Sequence, residues 1–549
     1  MPVIRVKTWR LEELTELKLR ELEEALFRLK CELEVSGDYA QIEVNSDRPD
    51  MLIGEGIARA VNGLLGKRRG WRLPKTFRSS VSVSVNEVSS RPYIACAVVR
   101  NVNVDSEDFL EELIQFQEKL HDGLGRRRKK VAIGLHDLNK LPSKHIEYVL
   151  VDLKTKFRPL GSSEETTIGE VLNETEKGRA YGNIALHKGR HPALIAGDHV
   201  IAIPPVLNSD ITKVEVGTKD LFIDVTGTDE KTVLTVLDIL VSTLAERRGA
   251  QVEMVEVEFG EAKKVCPIFS SIRMSTTKDF FTKSIGIELS VDEIADHLER
   301  MLHNVSVYEN FIEVSVAPFR IDVMKPIDLA EDLAISIGYE KISEGKRDVR
   351  IYTVGTLSEA TKLAKKLREL AIGFGFVEVA RLTLTSPHMV SALEVADEVI
   401  HVSNPVQLEY SVLRPTLAIT LLEVFREEQH KEKPLKVFEI GPAISRSSGS
   451  VREDFRFALG ILDYSVGYED VQAVVYSLIR ILGLNFYVEP SRLSFLIKGR
   501  QASIMCNGLE LGWMGEVRPE VLETLGLEYP IALAELSLRS LLKALKREG

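Results

Sequence analysis

Strand-length apolar segments, from residues 41–44 near the start to 511–517 near the end, are interleaved with amphipathic helical stretches along the whole chain. No apolar run approaches the about 18 residues needed to cross a bilayer. A chain patterned in this way must bury strands and helices against each other, which predicts an α+β multidomain protein with no membrane segment. Its 549 residues suffice for roughly three to five such domains.

The pattern divides the chain into four parts. Residues 1–88 carry a helical segment at 11–29, a strand at 41–44, a turn at 45–50, a helix at 54–65 closed by Gly66, and an alternating strand at 81–85. Residues 89–270 mix strands at 94–99, 131–134, 199–203, 213–216, 221–225 and 252–259 with helices at 107–121 and 230–248. Residues 271–347 form a smaller unit. There Ser290 and Glu293 make a capping box, opening a helix with the apolar stripe Ile294, Leu298, Met301 and Leu302, and a strand follows at 312–316. Residues 348–549 begin with a helix at 357–371, closed by Gly373 and Gly375. Strands at 377–384, 437–440, 457–461, 502–505 and 511–517 then predict an antiparallel sheet with flanking helices.

Cys31, Cys96, Cys266 and Cys506 lie far apart, so neither a cysteine zinc site nor a disulfide framework is expected. The start, MPVIRVKTWRLEELTEL, is amphipathic and contains acids, unlike a secretory or transit peptide. Both observations suit a cytoplasmic protein, in which the sequons at Asn173 and Asn304 carry no meaning. A net charge of −11 argues against non-specific coating of nucleic acid. The clearest basic run, Arg126 to Lys130, reads either as solvated surface or as a phosphate contact.

Two stretches carry chemistry. In APFRIDVMKPIDLAEDL, residues 317–333, Pro326 suits the first turn of a helix, and Asp328, Glu331 and Asp332 follow at i, i+3, i+4 with Asp322 just upstream. Neighbouring acids on one face repel by roughly a few tenths of a kcal/mol per pair unless a positive charge lies between them. Magnesium, which takes oxygen ligands, is one reading, and simple complementation of the helix dipole is the other. The second stretch pairs IPPVLNS at 203–209 with FIDVTGTD at 222–229. The double proline makes a rigid wall, and Asn208, Asp224 and Thr226 are candidates to bind a polar ligand at a strand end, while Asp229 fits a helix N-cap. His187, His191 and His199 sit in a Gly/Pro-containing stretch without a carboxylate or cysteine set and read as polar loop histidines. Neither a GxxxxGK[ST] loop nor a GxGxxG fingerprint occurs, which argues against a stand-alone phosphotransferase.

Taken in order, these segments resemble the β subunits of phenylalanyl-tRNA synthetases of the shorter archaeal and eukaryotic type. NSDRPDMLIGEGIAR (45–59) is similar to their amino-terminal signature, and LIQFQEKLHDGLGRRRKKVAIGLHDL (113–138) to the opening of their B3/B4 module. IPPV and FIDVTGTD resemble that module's pocket, and APFRIDVMKPIDLAEDL the end of the B5 module. Ser403-Asn404-Pro405, Ser411 to Arg414 and VFEIG resemble the carboxy-terminal class II-like domain. Gly373-x-Gly375 with Arg381 does not have the class II motif spacing. RMSTTK at 273–278 echoes a class I loop without its upstream partner.

The resemblance implies a structural domain at 1–88, a B3/B4-like α+β editing module at 89–270, and a small B5-like winged or helical module at 271–347. At 348–549 it implies a class II synthetase-like antiparallel sheet domain without catalytic motifs, packed on an α subunit. It implies a phenylalanine–tRNA ligase whose α subunit handles ATP and phenylalanine, so that no residue here catalyses aminoacylation. This chain would edit tyrosine mischarged onto tRNA(Phe), within an (αβ)2 heterotetramer. Asp322, Asp328, Glu331 and Asp332 would hold magnesium shared with α. Asp224 would bind the tyrosine phenol, with Asn208 and Thr226 holding the substrate around a positioned water. The alternative is a tRNA-binding and editing module without a catalytic partner.

Overall fold

The computed structural model describes residues 1–343, 355–395, 399–447 and 449–548. The chain separates into two compact units, Met1–Asp348 and Val349–Gly549. The expected boundary at 347/348 falls outside the described residues.

In the first unit, β1 (Val3–Lys7), β2 (Glu32–Ser36) and β3 (Tyr39–Glu43) form an antiparallel sheet in the order β1-β3-β2. Alternation buries Ile4, Val6, Ala40 and Ile42. The single helix expected at 11–29 is two helices, α1 (Thr8–Thr15) and α2 (Leu19–Arg28). Glu16 adopts φ 56° and its N–H donates to Glu12 O, closing α1; the Lys18 N–H donates to Glu21 Oε2 and opens α2. A left-handed residue cannot propagate a right-handed helix. Helix α3 (Gly54–Leu64) is buried along almost its whole length.

The central sheet contains β4 (Thr76–Asn86), β5 (Tyr93–Arg100), β6 (Val131–Asp137) and β7 (His145–Asp152). A short pair follows, β8 (Lys156–Phe157) and β9 (Thr166–Thr167). The sheet continues with β10 (Arg190–Ala196), β11 (His199–Ile203), β12 (Leu207–Asn208), β13 (Leu221–Gly227), β14 (Gln251–Phe259) and β15 (Ala262–Cys266). Its order is β12-β11-β10-β7-β4-β14-β5-β13-β6, with β15 on β14. Because β4 pairs in parallel with both β14 and β7, the strand read at 81–85 with the first 88 residues is part of this sheet. Residues 213–216, expected as a strand, are irregular. The segment is held by partners distant in sequence: Lys140 Nζ donates to Lys213 O at 3.0 Å, and just beyond it the N–H of Gly217, at φ 100°, donates to Val104 O.

Helices α4 (Glu107–Asp122) and α7 (Glu230–Leu244) cover one face of the sheet, where Leu221, Ile223 and Val225 pack with Val233, Leu237 and Leu240. Phe222 points the other way, into a core with Cys96, Val98 and Tyr148. Helices α5 (Ile168–Glu174) and α6 (Glu176–Ala185) cap a smaller core around Phe157, Ile203 and Val206.

The B5-like segment folds as β16 (Arg273–Thr276), α8 (Lys278–Ile285), α9 (Val291–Arg300), β17 (Asn304–Val307), β18 (Ile312–Ser315) and α10 (Pro326–Ile337). Its sheet order is β16-β18-β17. The capping box is formed, with Ser290 N–H donating to Glu293 Oε2 at 2.7 Å and Glu293 N–H to Ser290 Oγ at 3.2 Å. Ile294 and Leu298 pack onto α10 residues Leu329 and Leu333, whereas Met301 and Leu302 leave that stripe for the main core, because Leu302 turns the chain at φ 70°.

The second unit is a seven-stranded sheet. Across it run Val377–Glu378, Leu435–Ser447, Ser450–Leu462, Ile531–Ser537, Leu509–Val517, Leu496–Cys506 and Tyr487–Pro490. All neighbours are antiparallel except the first pair. Alternation in Ser450–Leu462 sends Phe457, Leu459 and Ile461 towards helices Glu359–Gly373, Tyr468–Ile481 and Leu538–Glu548. It sends Ala458 and Leu462 towards Ala418–Glu428. The first of these helices runs through Gly373 and stops only at Phe374, before Gly375 at φ 83°. The strand expected at 377–384 is broken into Val377–Glu378 and Leu384–Thr385.

Candidate functional site

Asp224 lies in the middle of β13, opposite Cys96 on β5 and Gly134 on β6. The two-residue period puts Phe222, Asp224 and Thr226 on one face. Gly134 is required there: a Cβ at that position would lie 1.9 Å from Asp224 Oδ2 and 3.0 Å from His136 Nε2. The carboxylate is therefore laid across β6, 1% exposed, with His136 Nε2 3.0 Å from its Oδ2. His136 Nδ1 is 2.7 Å from Thr212 Oγ1. Nε2–H of His136 donates to the Asp224 carboxylate, and Nδ1 shares a hydrogen bond with the Thr212 hydroxyl. All three groups are buried.

Asp224 forms one wall of a cavity of about 50 Å³ lined also by Ile133, Gly134, Ala202, Pro205, Val206 and Asn208. Asn208 Nδ2 donates to Leu135 O at 3.0 Å and pins β12 against β6. The Pro204–Pro205 bond is cis, and Arg128 Nη1 donates to Pro205 O and Val206 O at 3.0 and 2.9 Å. The structure thus brings Asp224 and Asn208 to one cavity. Thr226 stands behind it, turned towards a residue that sequence reasoning missed. Fully buried Arg91 donates from Nε to Thr226 Oγ1 at 2.9 Å, from Nη2 to Thr226 O at 2.7 Å and from Nη1 to Arg128 O at 3.2 Å. Burial draws its pKa down to about 10. A lone arginine before a proline gives no sequence signal. His136 carries one, since it shares the parity of Gly134 within the same strand.

His191 is not a loop residue. It is buried in β10 opposite Val151, within 2.9 Å of Pro192 O, and burial lowers its pKa to about 4. His187 and His199 lie outside this cavity's lining.

The four acids of 322–332 are not gathered around one point. Arg320 takes the place between two of them: its Nε and Nη2 donate to Asp322 at 3.0 and 2.7 Å, and Nη2 also donates to both oxygens of buried Asp332, at 2.7 and 2.8 Å. Despite burial, Arg320 and then His303, whose Nε2 is 2.7 Å from Asp332 Oδ2, hold the Asp332 carboxyl well below the usual carboxylate range. Asp328 Oδ2 accepts from the Met324 and Lys325 N–H groups at 2.8 and 2.7 Å and so caps α10. Exposed Glu331 pairs with Lys30 Nζ at 2.9 Å. Among the described residues no three His, Cys, Asp or Glu side chains converge where a metal ion would sit. As a four-carboxylate set the donors do not fit a cation, because an arginine already supplies the positive charge.

In the second unit several buried acids are likewise paired within the fold. Arg414 Nη1 donates to Glu439 at 2.7 Å, Thr420 donates to the same carboxylate at 2.6 Å, and Thr416 donates to Glu535 at 2.6 Å.

Family models match in two places: the tRNA synthetase B5 domain at residues 274–339 and the phenylalanyl-tRNA synthetase β chain CLM domain at 349–538. The phenylalanine–tRNA ligase β subunit of Aeropyrum pernix is 51% identical over 544 residues, covering 98% of this chain and 99% of that one. The chain belongs to the phenylalanine–tRNA ligase β subunit family. The β subunit of Saccharolobus solfataricus is 40% identical, with 96% of each chain covered. A crystal structure of an amino-terminal fragment of the phenylalanyl-tRNA synthetase β subunit from Pyrococcus horikoshii superimposes with a TM-score of 0.59 at 34% identity. It covers 62% of this chain and all of the fragment. Membership in the β subunit family accounts for the α+β architecture with its B5 and CLM domains. Among the described residues no helix is long and apolar enough to cross a membrane.

Proposed function

We propose that this chain works in the cytoplasm as the β subunit of a phenylalanine–tRNA ligase and hydrolyses tyrosine wrongly esterified to tRNA(Phe). It assembles with α subunits as an (αβ)2 heterotetramer, and α binds ATP and phenylalanine. The observation that carries the editing reading is Asp224, a carboxylate 1% exposed at an otherwise largely apolar cavity and held in place by His136. An apolar pocket separates tyrosine from phenylalanine by only about a hundredfold, so a second site that favours the hydroxyl is needed. A buried acceptor does this: the phenol pairs with it, while a phenyl ring leaves it without a partner, at a cost of about 1–3 kcal/mol or more. Asn208 shapes the wall, and Thr226, held by Arg91, supports it from behind. Its lining residues include no Ser, Thr, Cys or His, which is consistent with attack by water on the ester carbon and departure of the tRNA ribose hydroxyl.

A magnesium ion shared with α would be met on this chain by Asp328 and Glu331, with water and partner groups completing its shell, since magnesium is content with one or two protein carboxylates. Such an ion would neutralise charge at the contact between subunits. Replacing both by alanine should weaken assembly at low magnesium; a complex with wild-type magnesium dependence would leave these acids as a helix cap and a surface ion pair only.

The test of the whole reading is charging of tRNA(Phe) with phenylalanine by this chain with and without its α subunit, together with co-purification. Charging by the pair and by neither chain alone is expected. Stable binding of tRNA without any α partner would favour the orphan editing module instead.

A further inference from the structure

Arg128, in the middle of the basic run Arg126 to Lys130, lines the Asp224 cavity. Arg126, Arg127 and Arg128 are three consecutive residues in the left-handed region, at φ 48°, 52° and 63°. That conformation costs an L-residue roughly 1–2 kcal/mol each. It is held by Gly125, whose Cβ would lie 2.5 Å from His121 O, by the N–H groups of Arg126 and Arg128 donating to Gly123 O and His121 O, and by the Arg128 side chain. Arg128 is buried. It donates to Pro205 O, Val206 O and Glu118 Oε1, and it lies 4.8 Å from the Tyr181 ring of α6. With Arg128 turned in, Arg126, Arg127 and Lys129 are left exposed.

Among the described residues no carboxylate forms an ion pair with these three side chains. Two of the nearby acids are otherwise engaged: Glu118 with Arg128 and His121, Asp229 with Lys130. Exposed Lys177 of α6 lines the same cavity. In a chain of net charge −11, unpaired cations thus stand on both elements, the 126–129 turn and α6, that bring Arg128 and Lys177 to this cavity.

The geometry points to these cations as the binding surface for the phosphates of a single-stranded RNA 3′ end, which they lead to the Asp224 cavity. An ester carried by a terminal ribose can reach a buried carboxylate only if the strand behind it lies across the mouth. Phosphates are the groups that exposed, unpaired guanidinium and ammonium groups recognise there. Arg128 is the positioning residue, because it ties the strained turn to the wall formed by Pro205 and Val206. The inference rests on the editing reading.

The test uses the assembled α/β complex and preformed tyrosyl-tRNA. Arg126→Glu with Arg127→Glu should raise KM for deacylation by roughly tenfold or more with kcat within about twofold, and should lower the salt dependence of binding by about one to two in the log–log slope. A photocrosslinker at position 127 should label the 3′-terminal nucleotides. Unchanged KM and slope, labelling elsewhere on the tRNA, or an equal effect from Lys283→Glu on α8 would overturn it. If the wild-type complex does not deacylate tyrosyl-tRNA, the editing reading fails by itself. The crosslink then decides the surface: labelling of the 3′ end sustains it, and no labelling there overturns it.

Discussion

Replacing Asp332 by alanine should destabilise the Met1–Asp348 unit by about 3–5 kcal/mol at neutral pH, the range for breaking one side of a buried ion pair. The change removes the acceptor of two Arg320 bonds and of His303, leaving a fully buried guanidinium with Asp322 as its remaining carboxylate and an imidazole with no acceptor. Asp332→Asn should lose less, since the amide oxygen still accepts. The pH dependence follows from the lowered carboxyl. A group whose pKa is depressed on folding adds stability that is fully present above its unfolded value, about 4, and is lost as pH falls below it. Burial also holds His303 below its ordinary value, so its contribution fades in the same direction, as pH falls below about 6.5. The gap in urea midpoint between wild type and Asp332→Ala should therefore narrow on acidification below about pH 4. A variant as stable as wild type, or a wild-type protein that a chelator destabilises to the same extent, would show that Asp332 serves a metal instead of Arg320.

The second large effect is on discrimination. Asp224→Ala should slow deacylation of tyrosyl-tRNA(Phe) by about ten- to a hundredfold, as expected for loss of a hydrogen bond to a charged acceptor. Tyrosyl-tRNA should accumulate while charging with phenylalanine continues, because that reaction belongs to α. Asp224→Asn should be intermediate, retaining an acceptor oxygen without its charge. Unaltered deacylation in both variants would remove Asp224 from the pocket.

Much of the architecture was legible in periodicity. The strands around Asp224, the helices over them and the antiparallel carboxy-terminal sheet follow from alternating or amphipathic runs that burial alone enforces. The break at Glu16, the irregular 213–216 segment and the membership of β4 in the central sheet were not legible, since they depend on a left-handed backbone residue, on Lys140 and Val104 far along the chain, and on parallel pairing across many residues. At the site, Asp224 stood out as an acid in an apolar run. Arg91 and Thr212 did not, because each acquires its role only from a partner brought in by the fold. The acidic helix was legible only in part for a related reason: spacing placed Asp328, Glu331 and Asp332 on one stretch of helix but said nothing of Arg320, which turns Asp322 and Asp332 towards itself.

The most direct measurement is the hydrolysis of preformed tyrosyl-tRNA(Phe) and phenylalanyl-tRNA(Phe) by the α/β complex, followed as release of each amino acid over time. The account predicts rapid loss of tyrosine with phenylalanine retained, the loss slowed about ten- to a hundredfold by Asp224→Ala. Equal rates for the two esters, or tyrosine release at the uncatalysed rate, would contradict it.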